Sequence, residues 1–153
     1  MRTRLYCHLV WTTLNREPTI DSGYAEFLCR FLRRIAWRER AQVLAIGVVR
    51  THVHVLVEMH PTASVSAVVK RLKGASSSVA RREGIGGSGR LLRWAKGYTA
   101  HSVGPGQLEV VRRYLALQGT HHPEEAIVGW RGDLPGSGDS TSESPPFLAP
   151  ASE

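Results

Sequence analysis

An α+β domain, an antiparallel sheet with helices packed against it, is the fold this sequence predicts. Three observations predict it. Two segments, near residues 24–35 and 65–79, carry apolar side chains at the three-four spacing of one helix face. Several short segments are rich in β-branched and aromatic residues. Their order along the chain is β-α-β-β-α-β with one more helix behind. That is the split β-α-β, or ferredoxin-like, arrangement with its helices on one sheet face.

The first strand is residues 5–11, Leu5-Tyr6-Cys7-His8-Leu9-Val10-Trp11. A loop with Pro18 follows, and Asp21 or Ser22 caps the first helix. Its apolar face is Tyr24, Phe27, Leu28, Phe31, Leu32 and Ile35, with Arg30, Arg33, Arg34 and Arg38 mostly off it. Residues 43–59 read as extended throughout, too long for one ordinary strand. A hairpin is expected, with arms at 43–49 and 52–59 and a turn near Arg50-Thr51. Ser64 or Ser66 caps the second helix, whose stripe is Val65, Val68, Val69, Leu72 and Val79. The run Gly84-Ile85-Gly86-Gly87-Ser88-Gly89 formally matches G-x-G-x-x-G. It follows a helix, whereas a dinucleotide fingerprint follows a strand and opens a helix, so it reads as a flexible loop. Residues 98–103 form a last strand, broken by Gly104-Pro105-Gly106, and residues 107–118 a third helix.

The chain has 153 residues, enough for one domain (residues 1–130) with a Gly/Ser/Pro-rich acidic tail (residues 131–153) expected to be disordered. No apolar run is long enough to cross a membrane, and the N-terminus runs into a strand without a signal peptide. Two cysteines, Cys7 and Cys29, make neither a disulfide framework nor a zinc cluster, so a reduced cytoplasmic protein is expected. The chain carries 20 basic and 13 acidic residues. The tail holds one basic and four acidic residues, leaving 19 against 9 in the domain, a net charge of +10. Such a field suits a polyanion.

Chemistry concentrates in Thr51-His52-Val53-His54-Val55-Leu56-Val57-Glu58-Met59. On a strand Val53, Val55, Val57 and Met59 share the core face, and His52, His54, Leu56 and Glu58 the other. That second face is expected to be open. Two imidazoles about 6–7 Å apart on one strand face can hold a cation but do not close its site. Tyr114 and Gln118 lie four apart on the last helix and so share a face. A glutamine carbonyl oxygen suits the third position, and two imidazoles with one amide oxygen suit Mn²⁺ or Mg²⁺ better than a closed structural zinc. Such a cation acts as a Lewis acid on a phosphodiester, with the Tyr114 hydroxyl as nucleophile. His121 and His122 are second choices for the third ligand, or answer the negative helix end. Lys70, Arg71, Lys73, Arg90, Arg93 and Lys96, with Trp94 and Tyr98 among them, form the densest basic region. Basic groups with aromatics are what single-stranded nucleic acid requires.

Five segments in order resemble one family. They are residues 6–13 with YCHLVWTT, His52-Val53-His54 with the following strand, Val69-Lys70-Arg71-Leu72-Lys73-Gly74, Trp94-Ala95-Lys96-Gly97-Tyr98 with Ser102-Val103-Gly104, and Tyr114-Leu115-Ala116-Leu117-Gln118 with His121-His122. Over residues 4–122 the sequence resembles the single-tyrosine HUH transposases of small bacterial insertion sequences, which include the REP-associated tyrosine transposases. HUH denotes His, a bulky hydrophobic residue, His. The resemblance implies a site-specific endonuclease and strand transferase for single-stranded, hairpin-forming DNA. It implies His52, His54 and Gln118 as ligands of Mg or Mn, and Tyr114 as the residue that forms a 5′-phosphotyrosine and frees a 3′-OH. It further implies a homodimer in which the Tyr114 helix serves its own site or its partner's; Gly104-Pro105-Gly106 would suit as a hinge for that helix. The other reading is a relative that binds hairpins without cutting. Thr51 stands where relatives often carry Asn, His101 where they usually carry a smaller residue, and the tail has no counterpart in the family pattern.

Overall fold

The computed structural model describes residues 5–87 and 89–133. Residues 1–4, Ser88 of the glycine-rich loop and residues 134–153 of the tail lie outside the described residues. The elements are β1 (Leu5–Thr12), α1 (Ser22–Arg38), β2 (Ala41–Val49), β3 (His52–Met59), α2 (Val65–Glu83), β4 (Thr99–Val103), α3 (Leu108–Ala116) and the single turn α4 (Gln118–His121). The sheet runs β2-β3-β1-β4, with every neighbouring pair antiparallel. This is the expected β-α-β-β-α-β order. Among the described residues no helix is long and apolar enough to cross a membrane.

Local chemistry sets the helix ends. The Asp21 carboxylate accepts the Tyr24 N–H at 2.9 Å and caps α1. Its other oxygen accepts the Gly87 N–H at 2.8 Å, which ties the glycine-rich loop to α1. Ser64 accepts the Ala67 N–H at 3.3 Å and caps α2, which ends at Gly84 in the left-handed region. Leu28, Leu32, Val68, Val69 and Leu72 are buried against Leu9, Trp11, Val53, Val55 and Val57. That layer is the core, and α1 and α2 cover it. Beyond α3 the chain returns to this layer, and Asp133 pairs with Arg33 of α1 at 2.5 Å.

The opposite face departs from expectation. It is covered by α3 and α4, which pack on β2 and β3. The reason lies in β2. A bulge between Val43 and Ala45 shifts the register by one residue, so Ile46 and Val48 pair with Val55 and Val53 on the core side. Gly47 consequently pairs with His54 on the other side. A methyl group built on Gly47 would lie 2.5 Å from the Leu115 carbonyl oxygen and 2.7 Å from Cγ of Gln118. The end of α3 therefore sits where a side chain would otherwise stand.

The third helix is also shorter than its sequence suggests. It stops at Ala116, Leu117 leaves helical geometry at φ −104° and ψ 20°, and α4 begins at Gln118.

Two glycine substitutions should have opposite signs. Gly47→Ala forces a backbone carbonyl to move and should destabilise by about 1–3 kcal/mol. Gly74→Ala, exposed in the interior of α2 with nothing within 4 Å of the new methyl, should stabilise by about 0.5–1 kcal/mol. Urea denaturation of the two variants checks both, and an unaffected Gly47→Ala protein would contradict the close approach.

Candidate functional site

Strand register brings the site together. His54 lies between Val10 of β1 and Gly47 of β2, and His52 between Thr12 and Val49. Residues paired across antiparallel strands point to the same face. The two imidazole rings lie 5.0 Å apart, with the residues only 6% and 7% exposed. Gln118 is 1% exposed and seated over Gly47, the partner of His54. Tyr114 is 40% exposed, and its ring stands 5.7 Å from that of His54 in the same chain. The break at Leu117 separates these fates, turning Gln118 inward while Tyr114 stays at the rim.

Each of the three buried side chains, His52, His54 and Gln118, has one polar atom already engaged. The Gln118 Nε2 donates to the Tyr114 carbonyl at 3.0 Å. A carbonyl only accepts, so the amide is oriented and Oε1 is the atom left over. His54 Nδ1 is bonded to His8 Nε2 at 2.9 Å, and His54 Nε2 is left over. His52 Nδ1 lies 3.0 Å from the Thr51 hydroxyl, which donates to Glu125 Oε1 at 2.5 Å. Both His54 Nε2 and Gln118 Oε1 are buried without a hydrogen-bond partner. An unmet buried polar atom costs about 1–3 kcal/mol, which a bound ligand would offset.

The electrostatics favour neutral rings. Burial pushes the His54 pKa down to about 3, with His52, His8 and His122 adding to the effect. Burial also lowers His52, against the opposing pull of Glu125, and lowers His8, helped by His101. A neutral imidazole is the form that ligates a metal. Two imidazole nitrogens and one amide oxygen, two of these atoms orphaned, therefore fit a divalent cation at His52, His54 and Gln118.

His101, His121 and His122 lie around this centre, whereas His60 follows the far end of β3. His121 stacks on Tyr114 with centroids 5.0 Å apart, and His122 meets the His52 ring edge-on at 5.5 Å. His122, Glu124 and Glu125 have possible ligand atoms within 4.8 Å of one another. His101 pairs with His8 across β1 and β4.

The basic residues are divided among different tasks. Lys73 Nζ donates to the carbonyls of Ala95 and Gly97 at 2.7 and 2.8 Å, fastening the segment before β4. Arg71 pairs with Glu39 at 3.1 Å and lines a groove of about 670 Å³ between α1 and α2, with Arg30, Arg34 and Arg38. That groove lies on the helical layer, across the sheet from His52 and His54. Lys70, Arg93 and Lys96 are exposed, as is Arg90. Of the aromatics among them, Trp94 is bonded to Ser76 and packs edge-on against Trp11, while Tyr98 is exposed.

Four contributors escaped the sequence reading: His8, Thr51 as a hydrogen-bond partner, Glu125 and Gly47. His8 lies on the strand beside β3, two residues from the partner of His54, but only the register reveals it. For Glu125 no signal existed, since its place depends on how the chain returns after α4.

The chain matches the family described as "Transposase IS200 like" over residues 1–118. No curated protein matches it. Among solved structures, a Deinococcus radiodurans R1 protein assigned as a transposase is 23% identical with a TM-score of 0.59, the likeness covering 83% of this chain and 95% of that one. A REP-associated tyrosine transposase, solved bound to a REP hairpin, is 14% identical with a TM-score of 0.57, over 80% of this chain and 70% of that one. Both likenesses establish the fold.

The buried neutral rings give a pH dependence. His8, His52 and His54 have folded-state pKa values below the ordinary 6.5, so the unfolded chain binds more protons as the pH drops below that value. Their stabilisation is complete above about pH 6.5 and is lost as the pH falls toward the folded values, about 3 for His54. The lowered Glu125 adds a loss of the same sign below its ordinary 4.5. Urea denaturation of metal-free protein from pH 7.5 to 4.5 should show falling stability, with a shallower slope in His54→Leu. A flat profile would contradict the burial of neutral rings.

Proposed function

The chain belongs to the IS200-like transposase family, and we propose that it nicks and rejoins single-stranded DNA through a covalent tyrosine intermediate, with a divalent metal held by His52, His54 and Gln118. One observation carries this reading. Two buried, partnerless polar atoms, His54 Nε2 and Gln118 Oε1, stand on the residues beside an exposed tyrosine whose ring is 5.7 Å from the His54 ring. Both are acceptor atoms that a cation would satisfy, whereas the third unmet buried atom among the described residues, the Trp11 Nε1–H, is a donor on the core face.

A bound Mg²⁺ or Mn²⁺ would supply Lewis-acid polarisation of the scissile phosphodiester. Tyr114 does the covalent work. Its hydroxyl oxygen attacks phosphorus, the Tyr114 O–P bond forms, and the P–O3′ bond breaks. One strand end stays on the protein as a 5′-phosphotyrosine, and the other leaves as a 3′-alkoxide that takes up a proton to become a 3′-OH. The phosphotyrosine retains the energy of the broken ester, so a 3′-OH can attack it and restore a DNA strand without ATP. His121, stacked on Tyr114, and the edge-on ring of His54 restrict how the phenol turns.

The partner in this reading is single-stranded, hairpin-forming DNA in the cytoplasm. The basic domain supports a polyanion, and the fold neighbour solved with a REP hairpin supports the hairpin. Lys70, Arg71, Arg90, Arg93 and Lys96 are proposed phosphate contacts, and Lys73 acts by fastening the loop that carries Lys96. A homodimer belongs to the same proposal. Val110, Tyr114 and Leu117 recur at helical spacing and are exposed, a face that suits a second copy or DNA. Action in cis is favoured by the tyrosine standing beside the histidines of its own chain.

The test uses end-labelled single-stranded DNA from the flanks of the gene, with Mn²⁺ or Mg²⁺. Wild type should form a protein–DNA adduct that needs the metal. Tyr114→Phe should form none while keeping its melting temperature. Hairpin binding with no adduct in either protein would replace the enzyme with a binding module.

A further inference from the structure

Glu125 sits beyond the segment that matches the family, which ends at residue 118. It is nevertheless held firmly against the histidine end of the sheet. Its carbonyl accepts the Arg50 N–H at 2.8 Å, and the Arg50 guanidinium donates to the Glu124 carbonyl at 2.6 Å. Pro123 opens the 3₁₀ turn Pro123–Glu125, and the Glu125 N–H closes on the His122 carbonyl at 2.9 Å. The turn is thus fixed at the β2-β3 hairpin by one backbone bond and one from the Arg50 side chain, which set the position from which the Glu125 side chain extends.

That side chain does not reach His52 directly. The nearest approach, Oε2 to Nδ1, is 3.9 Å, beyond a hydrogen bond. The Thr51 hydroxyl fills the gap, 2.5 Å from Glu125 Oε1 and 3.0 Å from His52 Nδ1. A hydroxyl has one proton. A carboxylate can only accept, so that proton points at Glu125. The hydroxyl then offers His52 a lone pair, and His52 Nδ1 must carry the hydrogen. The neutral ring has only one, so Nε2 holds the lone pair.

We infer that Glu125 and Thr51 form a positioning pair that fixes the tautomer and orientation of His52 so that Nε2 is presented as a metal ligand. The inference rests on the metal reading of the site. It gives a task to the turn after α4 and to the threonine before the first histidine. His54 has no carboxylate behind it, since its Nδ1 meets His8, and its tautomer is not set in this way.

The experiment has two readouts on the full chain. Long-range ¹H–¹⁵N NMR of the metal-free protein reports the tautomer of His52. Calorimetry with Mn²⁺ reports affinity. Wild type should show His52 protonated at Nδ1. Thr51→Val, of nearly the same shape, should lose that signature and about 10–100-fold in Mn²⁺ affinity, the range for removing a residue behind a ligand. Thr51→Ser should restore both. Glu125→Ala frees the hydroxyl to donate to His52 and should shift the ring toward the Nε2–H tautomer with a similar loss. If Thr51→Val fails to fold, the Glu125→Ala and Thr51→Ser pair decides. Loss of affinity in Glu125→Ala with Thr51→Val unchanged would make Glu125 a ligand and overturn the inference. An Nε2–H tautomer in wild type would overturn it too. A wild type that keeps the Nδ1–H signature but binds no Mn²⁺ would overturn the metal reading, and with it the ligand-presenting role.

Discussion

A missing side chain at Gly47 is the constraint on which the site depends. Protein interiors are packed closely enough that one methyl group decides whether two backbones can meet. Here the Leu115 carbonyl occupies the space a methyl would take. The approach requires two features of β2 together. The bulge turns residue 47 to the histidine face, and glycine at 47 leaves that face low beside His54. With either absent, the end of α3 would ride higher, and Gln118 could not reach its buried position over the sheet. The burial of His54 follows from the same contact, and so does its neutral ring. Packing therefore comes first here, and the electrostatics are its result.

A common logic links the three proposed ligands. Imidazole and amide are both two-ended groups, each with an end that must be committed before the other can serve. Gln118 is committed by a helix carbonyl, His54 by His8, and His52 by Thr51. The commitments come from four parts of the chain: α3, β1, the β2-β3 turn and, through Glu125, the turn after α4. A metal site read only from its ligands would omit all of them. The cost of the orphaned His54 Nε2 and Gln118 Oε1 is carried by the apolar layer across the sheet, where α1 and α2 bury a continuous core.

What could be read from the sequence was what depends on near neighbours. Helix periodicity, the turn at Arg50-Thr51 and the succession of elements along the chain rest on interactions a few residues long and appear in the structure, and of the two candidates for each cap the structure uses Asp21 and Ser64. What could not be read depends on register. Residues 43–49 are apolar or glycine throughout, so alternation gave no face, and nothing marked Leu44 as the extra residue of a bulge. Without the bulge nothing assigned Gly47 to the histidine face, and that face was expected to be open. The helix through Gln118 looked continuous because Leu117 is a good helix former, yet tertiary packing bends the chain there. Lys73 looked like its basic neighbours, but its ammonium is engaged by two carbonyls of a distant segment.

Placing the proposed nucleophile next to the proposed metal site raises a conflict. The ligands gain from a dry, enclosed setting, where an imidazole stays neutral and an unmet oxygen is strongly attracted to a cation. In the proposed reaction the tyrosine needs the opposite, because a phosphodiester backbone must reach it. A continuous helix would give residues 114 and 118 similar depth, since they would share one face. The break at Leu117 removes that equality. It lets Gln118 turn into the sheet while the Tyr114 ring remains at the edge, held between the rings of His54 and His121. The irregular turn at the end of α3 is therefore the feature that lets one short segment supply both a buried oxygen and an exposed hydroxyl.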